Sequence, residues 1–230
     1  MRTVGILGGM GPEATVLLMS RIIAAVPARD DADHIPLIVD QNCQVPSRIA
    51  HLIEGVGIDP APVLAAMAKR LETAGAQALA MPCNTAHHYL DAIRGAVSVP
   101  VLDMVAASAR TARAAAGQGG KVGLLASPAV AKVGLFDRAL AAEGLEVIHP
   151  STGEALLAAI RQIKAEGPVA AARGALAQAS QALVQAGAEV QLIACTEFSL
   201  IADAVAPGVR GIDTLDVLVG EIVNIARAPG

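Results

Sequence analysis

Tryptophan is missing from this chain of 230 residues, and its aromatics reduce to one tyrosine and two phenylalanines. The core therefore has to close with aliphatic side chains and alanine, packed around closely spaced helices and strands. Positive charge is not concentrated anywhere: 17 Lys and Arg are scattered among 21 Asp and Glu, for a net charge of −4. Without a basic block or a basic stripe interleaved with aromatics, no nucleic-acid partner is expected. Long apolar runs are missing as well. Glycines and charges interrupt every hydrophobic stretch before the roughly 20 residues that a bilayer crossing requires. The opening MRTVGILGGMGPEA joins a basic residue to an apolar run, but its glycines and Glu13 make it a first strand rather than a secretory leader. Cysteine is scarce and odd in number, with Cys43, Cys83 and Cys195 only. That argues against a secreted disulfide framework and sets the expectation of reduced thiols in a cytoplasm.

What is present in quantity is aliphatic: 54% of the residues are hydrophobic, enough for one large domain or two small ones. Short runs rich in Val, Ile and Leu alternate with helical patterns. Strands are expected at 3–9, 36–42, 78–83, 99–104, 121–127, 145–150, 190–195 and 209–213, and helices over 12–25, 60–75, 128–143, 151–165 and 168–187. Runs apolar throughout suit strands buried on both faces, and alternation with helices points to βαβ units in a parallel sheet.

The chain also repeats itself once. TVGILGG matches KVGLLAS, ALAMPCNTAHHYLDAI matches VQLIACTEFSLIADAV, and VPVLDMVAASA matches VRGIDTLDVLV. The offsets are 118 residues from Thr3 to Lys121, 112 between Cys83 and Cys195, and 110 from Asp103 to Asp213. One continuous doubly wound sheet with ordinary internal similarity is the alternative. Three landmarks in order at nearly constant offset favour two similar α/β domains, each a parallel sheet flanked by helices, related by a pseudo-two-fold. The expected division is 1–98 plus 208–230, and 99–207, with a last helix near 214–227 returning to the first domain. Ligands of open parallel sheets bind beyond the carboxyl ends of the strands. Cys83 and Cys195 both stand at such ends, so facing domains would present both thiols to one cleft.

Each of these cysteines precedes residues that favour helix caps: Asn84 and Thr85 after the first, Thr196 after the second. A thiol at a helix N-terminus is expected to titrate below the free value of about 8.5 and to favour thiolate. Either cysteine alone reads equally well as a small buried residue. Two at equivalent places of a duplicated chain suit the inversion of an acidic C–H, which needs a base on one face and an acid on the other. Cys43 has no partner motif and is expected to be a loop or packing cysteine. The loop GGMGPEA (8–14) fits G-x-G-x-x-A through Gly9, Gly11 and Ala14, but Asp40 lies too far along for a dinucleotide fingerprint. A backbone nest for a small carboxylate accounts for the glycines equally well, and is the favoured reading. Arg48, in NCQVPSR, is a candidate carboxylate fork, although by spacing alone a solvated loop arginine suits it better. Lys164 near a helix end has the same status. Glu197 is either a first-turn acid or a tuner of the Cys195 thiol. Adjacent His87 and His88 project differently from a helix, so no metal is expected with Cys83.

Together VGILGGMGPEAT, MPCNTAH, ACTEFSL and the arginine after QVP resemble the aspartate/glutamate racemase family, which needs no pyridoxal phosphate, from residue 4 to about 215. The resemblance implies two Rossmann-like domains with the active site between them, racemisation by two thiols, no cofactor, and commonly a homodimer. It implies that Cys83 and Cys195 are the acid/base pair. Asn84, Thr85 and Thr196 then bind the α-carboxylate and amino group, and Arg48 and Lys164 hold a distal carboxylate. Met10, Ser127 and Glu197 also fall at its substrate site. Ser47 stands where many relatives have an acid before the arginine. LASPAV keeps the Ser127 hydroxyl but brings none at Ala129 or Val130, and Phe136 lies near a position often held by tyrosine. These departures widen the expected substrate from aspartate to glutamate or a broader set of amino acids. The rivals are a hydantoin racemase, maleate isomerase or arylmalonate decarboxylase on the same scaffold, a non-catalytic dicarboxylate-binding protein, and a nicotinamide enzyme.

Overall fold

The computed structural model describes residues 1–228. Two compact units divide the chain, Met1–Met104 with the residues from Leu215 onward, and Val105–Thr214. The first carries β1 (Val4–Gly8), α1 (Pro12–Ala25), β2 (Leu37–Gln41), α2 (Arg48–Leu52), α3 (Ala61–Thr73), β3 (Ala78–Ala80) and α4 (Leu90–Arg94). The second follows with α5 (Met104–Ala116), β4 (Lys121–Ala126), α6 (Pro128–Lys132), α7 (Leu135–Ala142), β5 (Glu146–Ile148), α8 (Gly153–Glu166), α9 (Ala170–Gln185), β6 (Val190–Ala194) and β7 (Arg210–Asp213). The final helix, α10 (Thr214–Arg227), packs Leu215, Leu218 and Ile222 against Val4, Ile6 and Leu18 of the first unit.

Both sheets are parallel, in the order β2-β1-β3 and β5-β4-β6-β7. The repeat in the sequence is thus a repeat of topology. The first strand of each unit is central, with Val4 opposite Leu37 and Ala78, and Val122 opposite Val147 and Val190. The central strands are buried on both faces, which is why they read as unbroken apolar runs. Alternate residues feed separate clusters: Leu7, Leu79 and Met81 on one face of the first sheet, and Val4, Ile6 and Ala80 on the other. In the second unit Leu125 and Ile193 share one cluster, and Val122, Leu124 and Leu192 the other. Asp103 and Asp213, landmarks of the repeat, each directly precede a helix, where a carboxylate meets the positive end of the helix dipole.

Two expected elements differ. Residues 99–104 form no strand; Val101 makes a single bridge to Leu79, through Leu79 N–H to Pro100 C=O (2.9 Å) and Leu102 N–H to Leu79 C=O (2.8 Å). Pro100 has no N–H to extend the ladder, and α5 begins at Met104. The expected helix 128–143 is broken into α6 and α7 by Gly134, whose φ of 61° is left-handed.

The packing also explains a duplicated glycine. A Cβ on Gly5 would lie 2.9 Å from the Ala76 Cβ and 3.1 Å from the Leu71 Cβ; on Gly123 it would lie 3.1 Å from both Ala188 and Leu183 Cβ atoms. These sites bring a helix against the central strand more closely than a side chain allows. Gly5→Ala and Gly123→Ala are each expected to lower stability by about 1–3 kcal/mol, seen as a reduced urea midpoint with unchanged slope.

Candidate active site

Cys83 and Cys195 occupy equivalent places. Each lies just beyond the strand paired to the central one, each is almost fully buried (6% and 7% exposed), and each belongs to the cluster on the same face of its own sheet. Cys43 is exposed in the turn after β2.

In the first unit, Met81, Pro82 and Cys83 leave the sheet and a 3-10 helix covers Thr85–Tyr89. Asn84 already has helical dihedrals and makes no side-chain capping bond, so the expected cap is not formed. His87 fixes this turn from within. Its Nε2 accepts the Met104 N–H at 3.1 Å, which puts the ring proton on Nδ1, 2.9 Å from the Cys83 carbonyl that accepts it. Burial lowers the pKa of His87 and keeps it neutral, and both ring nitrogens are engaged, Nδ1 with the Cys83 carbonyl and Nε2 with the Met104 N–H.

The glycine loop turns inward rather than outward. Gly9 has φ 89°, and a Cβ there would come within 2.4 Å of the Asn42 carbonyl carbon. Its N–H donates to Thr15 Oγ1 at 3.0 Å, so the nest expected for a carboxylate lacks its first donor. Met10 is buried in the cluster that contains Cys83. Asp40, the acid considered for a dinucleotide, accepts from Arg70 Nη2 at 2.6 Å. Arg48 opens α2, where Ser47 caps the helix by accepting the Ala50 N–H. The serine therefore fills a capping role that an acid would also fill. Arg48 Nη1 donates to the carbonyls of Val45 (3.2 Å) and Pro46 (2.8 Å), and the guanidinium has no carboxylate partner among the described residues.

In the second unit the Cys195 Sγ–H donates to Glu197 Oε2 at 3.0 Å, and Lys164 Nζ, from the last turn of α8, lies 2.5 Å from Glu197 Oε1. Burial pushes the Cys195 pKa well up, and the Glu197 charge and hydrogen bond add to it. The Glu197 backbone N–H and Lys164 oppose them only in part. The expected thiolate is therefore a protonated thiol at Cys195, paired to a ready acceptor. The following helix is a 3-10 turn over Phe198–Ala204, too short and irregular to supply a full helix dipole. Ser127, before α6, and Thr196 are both buried. Phe136 is fully enclosed in the cluster of Val122 and Leu124.

The sequence motifs do not single out Tyr89, the chain's one tyrosine. It closes the turn begun after Cys83 and packs in the same cluster, its ring edge-on to His88 at 4.9 Å. Its uniqueness in the chain is the one signal the sequence offers for it. Among the described residues no helix is long and apolar enough to cross a membrane.

A family model described as Asp/Glu/Hydantoin racemase matches residues 7–222. The chain is 27% identical over 229 residues to a broad specificity amino-acid racemase, RacX, of Bacillus subtilis, covering 96% of each. Among solved structures it is similar to an aspartate racemase of Picrophilus torridus, with a TM-score of 0.87 at 24% identity over 98% of this chain and 94% of that one. It is also similar to glutamate racemase isoform RacE1 of Bacillus anthracis, with a TM-score of 0.70 at 21% identity over 97% and 80%.

Proposed function

The chain belongs to the Asp/Glu/hydantoin racemase family, and from that premise we propose that it racemises an acidic amino acid, aspartate or glutamate, without a cofactor, through Cys83 and Cys195. The observation that carries this reading is the equivalence of the two cysteines, buried at matching strand ends of a duplicated topology. Structural packing would call for no such match, whereas inverting a stereocentre in both directions is well served by two opposed groups that can each act as acid or base.

One cysteine removes the α-proton as thiolate, and the other returns a proton to the opposite face as thiol. Cys195 starts as the donor because its environment keeps it protonated. When the substrate is the other enantiomer, Cys195 must first lose that proton, and Glu197 is the adjacent acceptor. Lys164 balances the Glu197 charge and so has a part in this step, in addition to the distal-carboxylate contact implied by the resemblance. His87 contributes by holding the Cys83 backbone rather than by proton transfer. Asn84, Thr85 and Thr196 are assigned to the α-carboxylate and amino group, where fixed donors stabilise the carbanion. Met10 and Ser127 are assigned to the walls. The same reading carries a cytoplasmic homodimer, which sedimentation of the reduced protein would test.

A wider amino-acid scope is the second reading. Ala129, Val130 and Phe136 are fully buried and bring no hydroxyl, which leaves fewer polar groups to demand a carboxylate. The reduced, pyridoxal-phosphate-free protein is expected to interconvert the enantiomers of aspartate or glutamate on chiral chromatography. Turnover of neutral amino acids at equal efficiency would select the wider reading. Inertness toward amino acids as a class, with turnover of a hydantoin or maleate, would sink both.

A further inference from the structure

We propose that the Tyr89 hydroxyl is a substrate-binding donor that, with Arg48, receives the distal carboxylate of an acidic amino acid and so sets side-chain preference; this rests on the racemase reading above and names its specificity determinant.

Tyr89 is 6% exposed, and its hydroxyl oxygen is buried with no hydrogen-bond partner among the described residues. Buried tyrosines ordinarily find a partner for that group, because an unmet polar atom is costly. In a core short of polar atoms, an orphan hydroxyl beside Cys83 calls for an external partner. The surroundings indicate what kind. The ring lies 6.1 Å, centroid to centroid, from His51 of α2, and Arg48 precedes His51 by three residues, on the same face of that helix. Val45, whose carbonyl pins Arg48, shares a cluster with Tyr89, Cys83 and Met10. One guanidinium nitrogen is thereby fixed to backbone while the charge lacks a protein carboxylate among the described residues. The nearby acid, Asp59, is engaged in accepting the Ala61 N–H at 2.9 Å. The Arg48 charge acts on the Tyr89 phenol, and a fixed cation with an unmet O–H donor matches the two oxygens of a carboxylate. Burial and Asp59 push the phenol up to about 12, so at neutral pH it can act on an anion only as a donor.

The chain has no tryptophan and no second tyrosine, so its near-ultraviolet absorption reports Tyr89. Titration with succinate, an unreactive dicarboxylate, is expected to shift that absorption, and propionate is not. By calorimetry, Tyr89→Phe is expected to weaken succinate binding about 10- to 100-fold and to raise KM for the acidic substrate in proportion, with kcat unchanged. Its Tm should equal or exceed that of the wild type, since a hydroxyl without a partner is removed. Succinate affinity unchanged in Tyr89→Phe, an absorption spectrum unmoved at saturation, or Tm and affinity falling together would each overturn the proposal. Two further outcomes separate it from the racemase reading. Racemisation of neutral amino acids alone, with no succinate binding, removes the role of Tyr89 and leaves a racemase. Succinate binding that depends on Tyr89, without racemisation of any amino acid, leaves a dicarboxylate site and removes the racemase.

Discussion

Cys83→Ala and Cys195→Ala are each expected to slow inversion of the acidic substrate by about 10²–10⁴-fold, with substrate binding changed far less. In the proposed mechanism each thiol serves one face of the α-carbon, and the polar groups packed nearest the cysteines are already engaged. His87 has both ring nitrogens committed, to the Cys83 carbonyl and the Met104 N–H. Glu197 touches Cys195 Sγ, so it is a partner of the thiol rather than its substitute. The double variant should be little worse than either single one, because residues that act as a unit are not additive. Both cysteines are small, so folding should survive, and circular dichroism would verify that. Normal inversion by either single variant would end the two-thiol mechanism.

Glu197→Gln is expected to have opposite effects on reactivity and on turnover. The negative charge beside Cys195 raises its pKa, second only to burial. Removing that charge lowers the thiol pKa, and a thiol whose pKa is lower by one carries about tenfold more thiolate at any pH well below it. In a Cys43→Ser background, which removes the exposed thiol, alkylation of Cys195 by iodoacetamide at pH 8 should therefore rise about tenfold or more. Racemisation should fall about 10²-fold, because the acceptor for the thiol proton is gone. Stability follows the same sign. The folded protein keeps the Cys195 proton to higher pH than the unfolded chain, whose thiol releases it near the free value of about 8.5, so stability falls as pH rises past that value. Glu197→Gln should make the fall shallower. Alkylation no faster than in the parent would show that Glu197 does not govern the thiol.

These expectations differ in how much of their basis the sequence displays. The central strands are legible because burial on both faces forces unbroken aliphatic runs, and α1 and α10 because their apolar stripes and starts are unambiguous. The segment 99–104 misleads because its apolar pattern is that of a strand, while Pro100 and the early start of α5 limit it to one bridge. The cysteines stand out because duplication marks a pair where a lone residue carries no signal. Their chemical state does not, since the Cys195 pKa depends on burial and on Glu197, balanced by Lys164 from a distant helix. The capping expectation at Asn84 fails because a 3-10 turn begins there with Asn84 already helical. Tyr89 is not legible because its importance lies in a missing partner, which only packing reveals.

The most direct test of the two-cysteine mechanism is where solvent deuterium appears in the first few per cent of reaction in D₂O. Starting from one enantiomer, mass spectrometry of the separated isomers reads the label at the α-carbon of each. Two thiols working on opposite faces should deliver deuterium to the product, while unreacted substrate keeps its original proton. Product that retains the substrate's proton would mean a single base serving both faces, and would contradict the paired roles assigned to Cys83 and Cys195.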